Sequence, residues 1–178
     1  MKKWLGLVLL TLLLAGCGGS VEIRSNWDAS NHVKYNRILL SLKSHEQTED
    51  LFSGIQQQLD SLFTVGGITV KDYKPDALSL DNSDMKSVVK DFGPDGALFL
   101  SFERGTTING RLDKLTILGA FYNMSTDKSV WKASIDVTPA AALGFNDNVT
   151  TAHNIAVAIV RKMHENGLIN KIVPDEGS

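Results

Sequence analysis

The sequence predicts a mixed α/β fold: one domain with elements in the order βαβαβββα, a mixed sheet of about five strands and three helices. Three observations predict it. From Val33 to Phe102, dense apolar runs alternate with segments of helical periodicity, the pattern of parallel strands joined by right-handed crossovers. After Leu115, two alternating runs are joined by Ser125-Thr126-Asp127-Lys128, the pattern of an antiparallel hairpin. A last amphipathic segment then closes the chain. With 178 residues, the chain is long enough for a single domain with a hydrophobic core.

The first core strand is Arg37 to Leu42, whose run Ile38-Leu39-Leu40 suits a strand covered on both faces. Ser44-His45-Glu46-Gln47 has the form of a capping box. Behind it Leu51, Phe52, Ile55, Leu59, Leu62 and Phe63 recur at helical spacing. Gly66-Gly67 ends that helix. Ile68 to Tyr73 alternates as a second strand. Pro75 opens a loop, and Asn82 or Ser83 caps a shorter helix that turns Met85, Val88, Val89 and Phe92 inward. Gly93-Pro94-Asp95-Gly96 stops it, and Ala97 to Phe102 is a buried strand.

Gly105 to Arg111 reads as a polar loop. The hairpin strands follow over Leu115 to Met124 and Ser129 to Val137. On the second, Trp131, Ala133, Ile135 and Val137 share one face, and Lys132, Ser134 and Asp136 the other. Pro139 to Asn148 is a loop with an apolar stretch, Ala140-Ala141-Ala142-Leu143-Gly144-Phe145. The final helix buries Ala152, Ile155, Ala156, Ile159, Val160 and Met163, and stops at Gly167.

The chain begins differently. Lys2 and Lys3 precede an apolar run from Trp4 to Leu14, too short to cross a bilayer and right for an export signal. Ala15 and Gly16 are the small residues a peptidase cleft accepts, and Cys17 follows at once. It is the only cysteine, so no internal disulfide forms. The expected division is a leader over 1–16, a tether over 17–32, a domain over 33–173 and a tail over 174–178. Val21-Glu22-Ile23 alternates like a short strand and Trp27 is apolar, so the tether is read as partly docked. Fully extended, its 15 or so residues span about 50 Å.

The formal charge is −2, from 18 basic and 20 acidic residues, and loss of Lys2 and Lys3 makes it more negative. No basic run and no interleaving of aromatics with bases supports nucleic-acid binding. His32, His45, His153 and His164 are scattered, with no pair at the spacing of a helical metal site, so neither metal nor cofactor is expected. No Gly-x-Ser-x-Gly elbow is present, and the glycine pairs are helix stops rather than phosphate cradles. Glu49 and Asp50 fall in a first helical turn, where acids complement the helix dipole. No catalytic residue is assigned.

Leu14-Ala15-Gly16-Cys17 resembles the lipobox of bacterial lipoproteins. That resemblance implies a diacylglycerol thioether on Cys17, cleavage after Gly16 and a further acyl chain such as palmitate on the new amino terminus. The other reading of Cys17 is a stray cysteine in a plain secreted protein. Gly18 in place of aspartate implies, again by resemblance, the outer membrane with the domain facing the periplasm. From 33 to 169 the element order is similar to the small α/β domain of the TolB N-terminal and CsgG-like families.

The expected function is therefore a non-catalytic envelope lipoprotein, an accessory or assembly factor acting through protein–protein contacts. Its membrane partner is reached through the lipid, and its protein partner touches Leu143 and Phe145; the other reading of these two is a loop that folds back and buries them over the core. These two lie in a connection that is long and apolar where a plain linker would be polar. The alternative is a small-ligand-binding or enzymatic envelope protein with a pocket at the strand C-termini.

Overall fold

A computed structural model describes residues 19–74, 83–108, 111–139, 141–142, 145–146 and 148–170. Their elements are β1 (Ser20–Trp27), β2 (Arg37–Lys43), α1 (Glu49–Val65), β3 (Thr69–Asp72), α2 (Ser83–Phe92), β4 (Gly96–Ile108), β5 (Arg111–Asn123), β6 (Lys128–Thr138), β7 (Ala141–Ala142), β8 (Phe145–Asn146) and α3 (Asn148–Glu165). Six strands form one sheet in the order β1-β6-β5-β4-β2-β3, and β7 and β8 form a separate two-stranded ladder. The mixed α/β class and the three helices are as the sequence predicts.

β2 is parallel to β3 on one side and to β4 on the other. From β4 outward the pairs are antiparallel: β4 with β5, β5 with β6, and β6 with β1. The step from β2 to β3 runs one way along the sheet, and the step from β3 to β4 runs back across β2. Right-handed crossovers in opposite directions place α1 and α2 on opposite faces. α1 and α3 lie side by side on the first face. Their approach is close enough that a Cβ on Gly54 would stand 3.0 Å from the Cβ of Ala152.

The core lies between those two helices and the sheet. Ile38, Leu40, Leu98, Leu100, Ile117, Phe121, Trp131 and Ile135 meet Ile55, Leu59 and Phe63 of α1 and Ile155, Ile159 and Met163 of α3. The helix stops form as expected. Gly67 and Gly167 both take positive φ, and the N–H groups of Ile68 and Leu168 reach back to Phe63 and Met163.

Several local readings are corrected. The tether expected over 17–32 is not a linker from Ser20 onward, and the domain begins there rather than at Val33. Ser20 to Trp27 pairs along its whole length with β6, so the main sheet has six strands rather than five. The short alternation Val21-Glu22-Ile23 was the visible part of this strand. Val21 and Ile23 pack on the core, and Ser25 bonds to Asn166, just past the end of α3. The polar loop expected over Gly105 to Arg111 is largely strand. β4 runs to Ile108 and β5 starts at Arg111, leaving only Asn109-Gly110 between them. Asn-Gly is the composition of a tight hairpin turn.

The capping box is displaced by one residue. His45 is the cap of a single 3-10 turn, Glu46–Thr48, and its reciprocal partner is Thr48, not Gln47. The loop over Pro139 to Asn148 contains the β7–β8 ladder.

One polar device was not foreseen. Asp95 accepts from the backbone N–H groups of Asn36 and Arg37, each at 2.9 Å, and its own N–H donates to the Arg37 carbonyl. It ties the start of β2 to the start of β4.

Candidate functional site

The strands that bury one side chain inward present the next outward. In β6, Trp131, Ala133 and Ile135 enter the core, so Lys132, Ser134 and Asp136 stand on the opposite face. In β5, Ile117 and Phe121 point in, which turns Leu118, Ala120 and Tyr122 out. In β4, Leu98 and Leu100 point in, which turns Phe99 and Ser101 out. α1 and α3 occupy the inner face. On the outer face, α2 is fixed at the β2 side, where the Arg37 guanidinium donates to the Phe92 and Gly93 carbonyls and sits 4.7 Å above the Phe92 ring.

The outer face of β4, β5, β6 and β1 carries a shallow open groove of about 630 Å³. Its floor is Phe99, Leu118 and Ala120, and its rim includes Arg24, Asn26 and Lys132. Leu118 is 42% exposed at its centre. The Phe99 and Tyr122 rings meet edge to face at 5.8 Å, which fixes that wall. An apolar floor with a mixed polar rim has the composition of a surface that contacts another molecule.

Next to the groove, the Asp136 carboxylate accepts from the Thr116 hydroxyl at 2.9 Å and from Arg24 at 2.6 Å. The Thr116 hydrogen bond, followed by that of Arg24, holds its carboxyl below the usual carboxylate value. This bridge links edge strand β1 to β6 on the open side.

A second depression, of about 580 Å³, lies at the C-terminal ends of the parallel strands β2 and β4. His45, Thr48, Phe102, Thr107 and Leu112 line it. The His45 ring lies 5.2 Å from the Phe102 ring, and its Nδ1 accepts from the Gln47 N–H. Among the described residues that line it, His45 is the only titratable group.

The residues expected to matter are distributed as follows. Leu14, Ala15, Gly16 and Cys17 lie outside the described residues, as does Leu143. Phe145 is described in its backbone, as the partner of Ala142 in the β7–β8 ladder. The four histidines stand apart, with His153 bonded to Gln58 across α1 and α3 at 2.9 Å. Among the described residues no three metal-ligating side chains come together, and no helix is long and apolar enough to cross a membrane. Glu49 and Asp50 stand in the first turn of α1.

The open face went unnoticed in the sequence, though a signal was present. Phe99, Leu118 and Tyr122 are large apolar residues at outward positions of strands whose inward positions are already apolar.

No protein-family model matches the chain, and no curated protein matches it in sequence. Solved structures do share its fold. The PelC dodecamer from Paraburkholderia phytofirmans is similar at 12% identity with a TM-score of 0.54, over 83% of this chain and 98% of the PelC chain. A variant of the same dodecamer is similar at 16% identity with a TM-score of 0.55, over 86% and 99%. Protein XCC0632 from Xanthomonas campestris is similar at 9% identity with a TM-score of 0.41, over 83% and 89%.

Proposed function

We propose that the chain is a lipid-anchored lipoprotein of the bacterial envelope, a non-catalytic accessory or assembly factor acting through protein–protein contacts in the periplasm. The observation that carries the reading is the run Leu14-Ala15-Gly16-Cys17 placed three positions ahead of Ser20, where β1 begins. Three residues span at most about 10 Å. An acylated Cys17 therefore holds the folded sheet against the bilayer, not at the end of a long leash. Two or more acyl chains make such attachment stable.

The apolar floor around Leu118 is the surface on which a protein partner docks in this reading. The dodecameric state of PelC, whose fold is similar, supports further copies of this chain as partners. The resemblance read from the element order over 33–169, to TolB N-terminal and CsgG-like domains, is part of the same proposal, and Gly18 favours the outer membrane.

The test is the mass of the mature amino terminus and the behaviour of Cys17→Ala. The wild-type chain should begin at a diacylglyceryl-modified Cys17 and fractionate with outer-membrane markers. Cys17→Ala should accumulate as an unlipidated precursor retaining residues 1–16. An unmodified thiol at Cys17 in the mature chain overturns the anchor.

A second reading places a small ligand in the depression beside His45. It draws on that site lying at the strand C-terminal ends, where α/β folds bind ligands. A ligand there should raise the melting midpoint of wild type, and His45→Ala with Thr107→Ala should remove the rise.

A further inference from the structure

The strand register sets several features at one level. Val21 stands opposite Val137, Val137 opposite Leu115, and Leu115 opposite Gly105. The end of the sheet from which β1 runs back toward Cys17 is therefore also the end where β6 stops and where β4 and β5 turn. β4 and β5 do not stop with β6. They continue through the pairs Thr106 with Lys114, Thr107 with Leu112, and Ile108 with Arg111.

Beyond the level of Ser20, Thr107 and Ile108 carry the hairpin about 7 Å further, before its turn residues. The three residues back to Cys17 span at most about 10 Å in the same direction. The hairpin tip thus lies within the distance that the three residues back to Cys17 can span.

Two exposed apolar side chains stand at that end, among exposed polar ones that include Thr106, Thr107 and Lys114. Ile108 is 59% exposed at the last described position of β4. α3 ends at the opposite end of the sheet, where Asn166 bonds to Ser25 and Trp131. Its 18 residues bring its start back to the Cys17 end, and there Val149 is 72% exposed. The β7–β8 ladder joins β6 to α3 at this same end.

We propose that this end of the domain is a membrane-seating surface. The tip of the β4–β5 hairpin at Ile108 and the start of α3 at Val149 enter the headgroup boundary beside the acyl chains of Cys17. The proposal rests on the lipidation proposed above and adds a second contact, made by the fold itself. Lipid anchoring alone leaves a domain free to tumble about its attachment. Two apolar points flanking the anchor fix its tilt, so the strands stand steeply on the bilayer and the open face around Leu118 is held sideways in the periplasm.

The test uses the full-length lipidated protein in vesicles of phosphatidylethanolamine and phosphatidylglycerol. Because Cys17 is the only cysteine and is capped by lipid, Ile108→Cys and Val65→Cys each offer one site for a polarity-sensitive dye. Val65, 80% exposed at the C-terminal end of α1, is the distal control. A spin-labelled lipid with its quencher near the headgroup should quench the dye at 108 about threefold more than at 65, with a blue-shifted emission. Equal quenching with Cys17 lipidated overturns the seating surface and leaves the anchor standing. Dye taken up by the wild-type chain overturns the anchor itself, and the proposal with it.

Discussion

Replacing Asn166 by alanine tests how the amino-terminal strand is held. The Asn166 side-chain oxygen accepts from the Trp131 indole N–H at 3.0 Å and from the Ser25 hydroxyl at 2.8 Å. Indole nitrogen only donates, so the amide must present its oxygen there. Trp131 is 1% exposed. Asn166→Ala leaves its buried donor without a partner, a cost of about 1–3 kcal/mol. Ser25 is only part-buried and its hydroxyl reaches water, so its own bond contributes about 0.5–1.5 kcal/mol.

The expected loss for Asn166→Ala is thus about 2–4 kcal/mol, and for Ser25→Ala about 1 kcal/mol. The two should not add, because Ser25→Ala removes nothing once the acceptor is gone. Urea melts of a soluble chain starting at Gly18 measure all three. A loss for Asn166→Ala within about 0.5 kcal/mol of zero refutes the shared acceptor. So does full additivity with Ser25→Ala.

Other outcomes follow from the same structure. A chain starting at Asn31 lacks β1 and exposes the outer edge of β6; circular dichroism and urea melts should show it markedly less stable than the chain starting at Gly18, and equal midpoints would return β1 to the status of a linker. Gly96→Ala would bring a Cβ within 2.3 Å of the Phe121 ring and 3.0 Å of Tyr35, which should cost about 1–3 kcal/mol in a denaturant melt. Asp136 has a lowered carboxyl pKa in the fold, so its contribution is complete above the usual value of 3.8 and is lost as pH falls through the lowered one. Because the pair is partly exposed, Asp136→Asn should cost at most about 1 kcal/mol near neutrality, and the gap from wild type should close in acid melts below about pH 4.

The elements most legible in the sequence were those whose pattern is set by the core alone. α1 was readable because Leu51, Ile55, Leu59 and Phe63 must all face the sheet, and β6 because Trp131, Ala133 and Ile135 must. β1 was obscured because it is an edge strand. Glu22, Arg24 and Asn26 sit on its open side, and the apolar residues it packs on the core are only Val21 and Ile23, too few to outweigh Gly19 and the turn formers after Trp27. The β4 extension was hidden for a similar reason, since Arg104, Thr106 and Thr107 pair by backbone without entering the core. Asn109-Gly110 was the missed cue. The open face left its apolar residues in the sequence but not its exposure, because which outward residues stay uncovered depends on the crossover directions that place α1 and α2.

The pairing of β1 with β6 also has a mechanical consequence. If Cys17 carries the proposed anchor, tension between it and a partner gripping the far β5–β6 turn would enter at Ser20 and run parallel to the strands. Eight rungs, from Ser20 opposite Thr138 to Trp27 opposite Trp131, then bear the load together in shear instead of peeling one at a time. Rupture in that geometry is set by the height of the unfolding barrier rather than by equilibrium stability. Under such a load β1 would act as a stay, passing force into the sheet while the outer face keeps its shape.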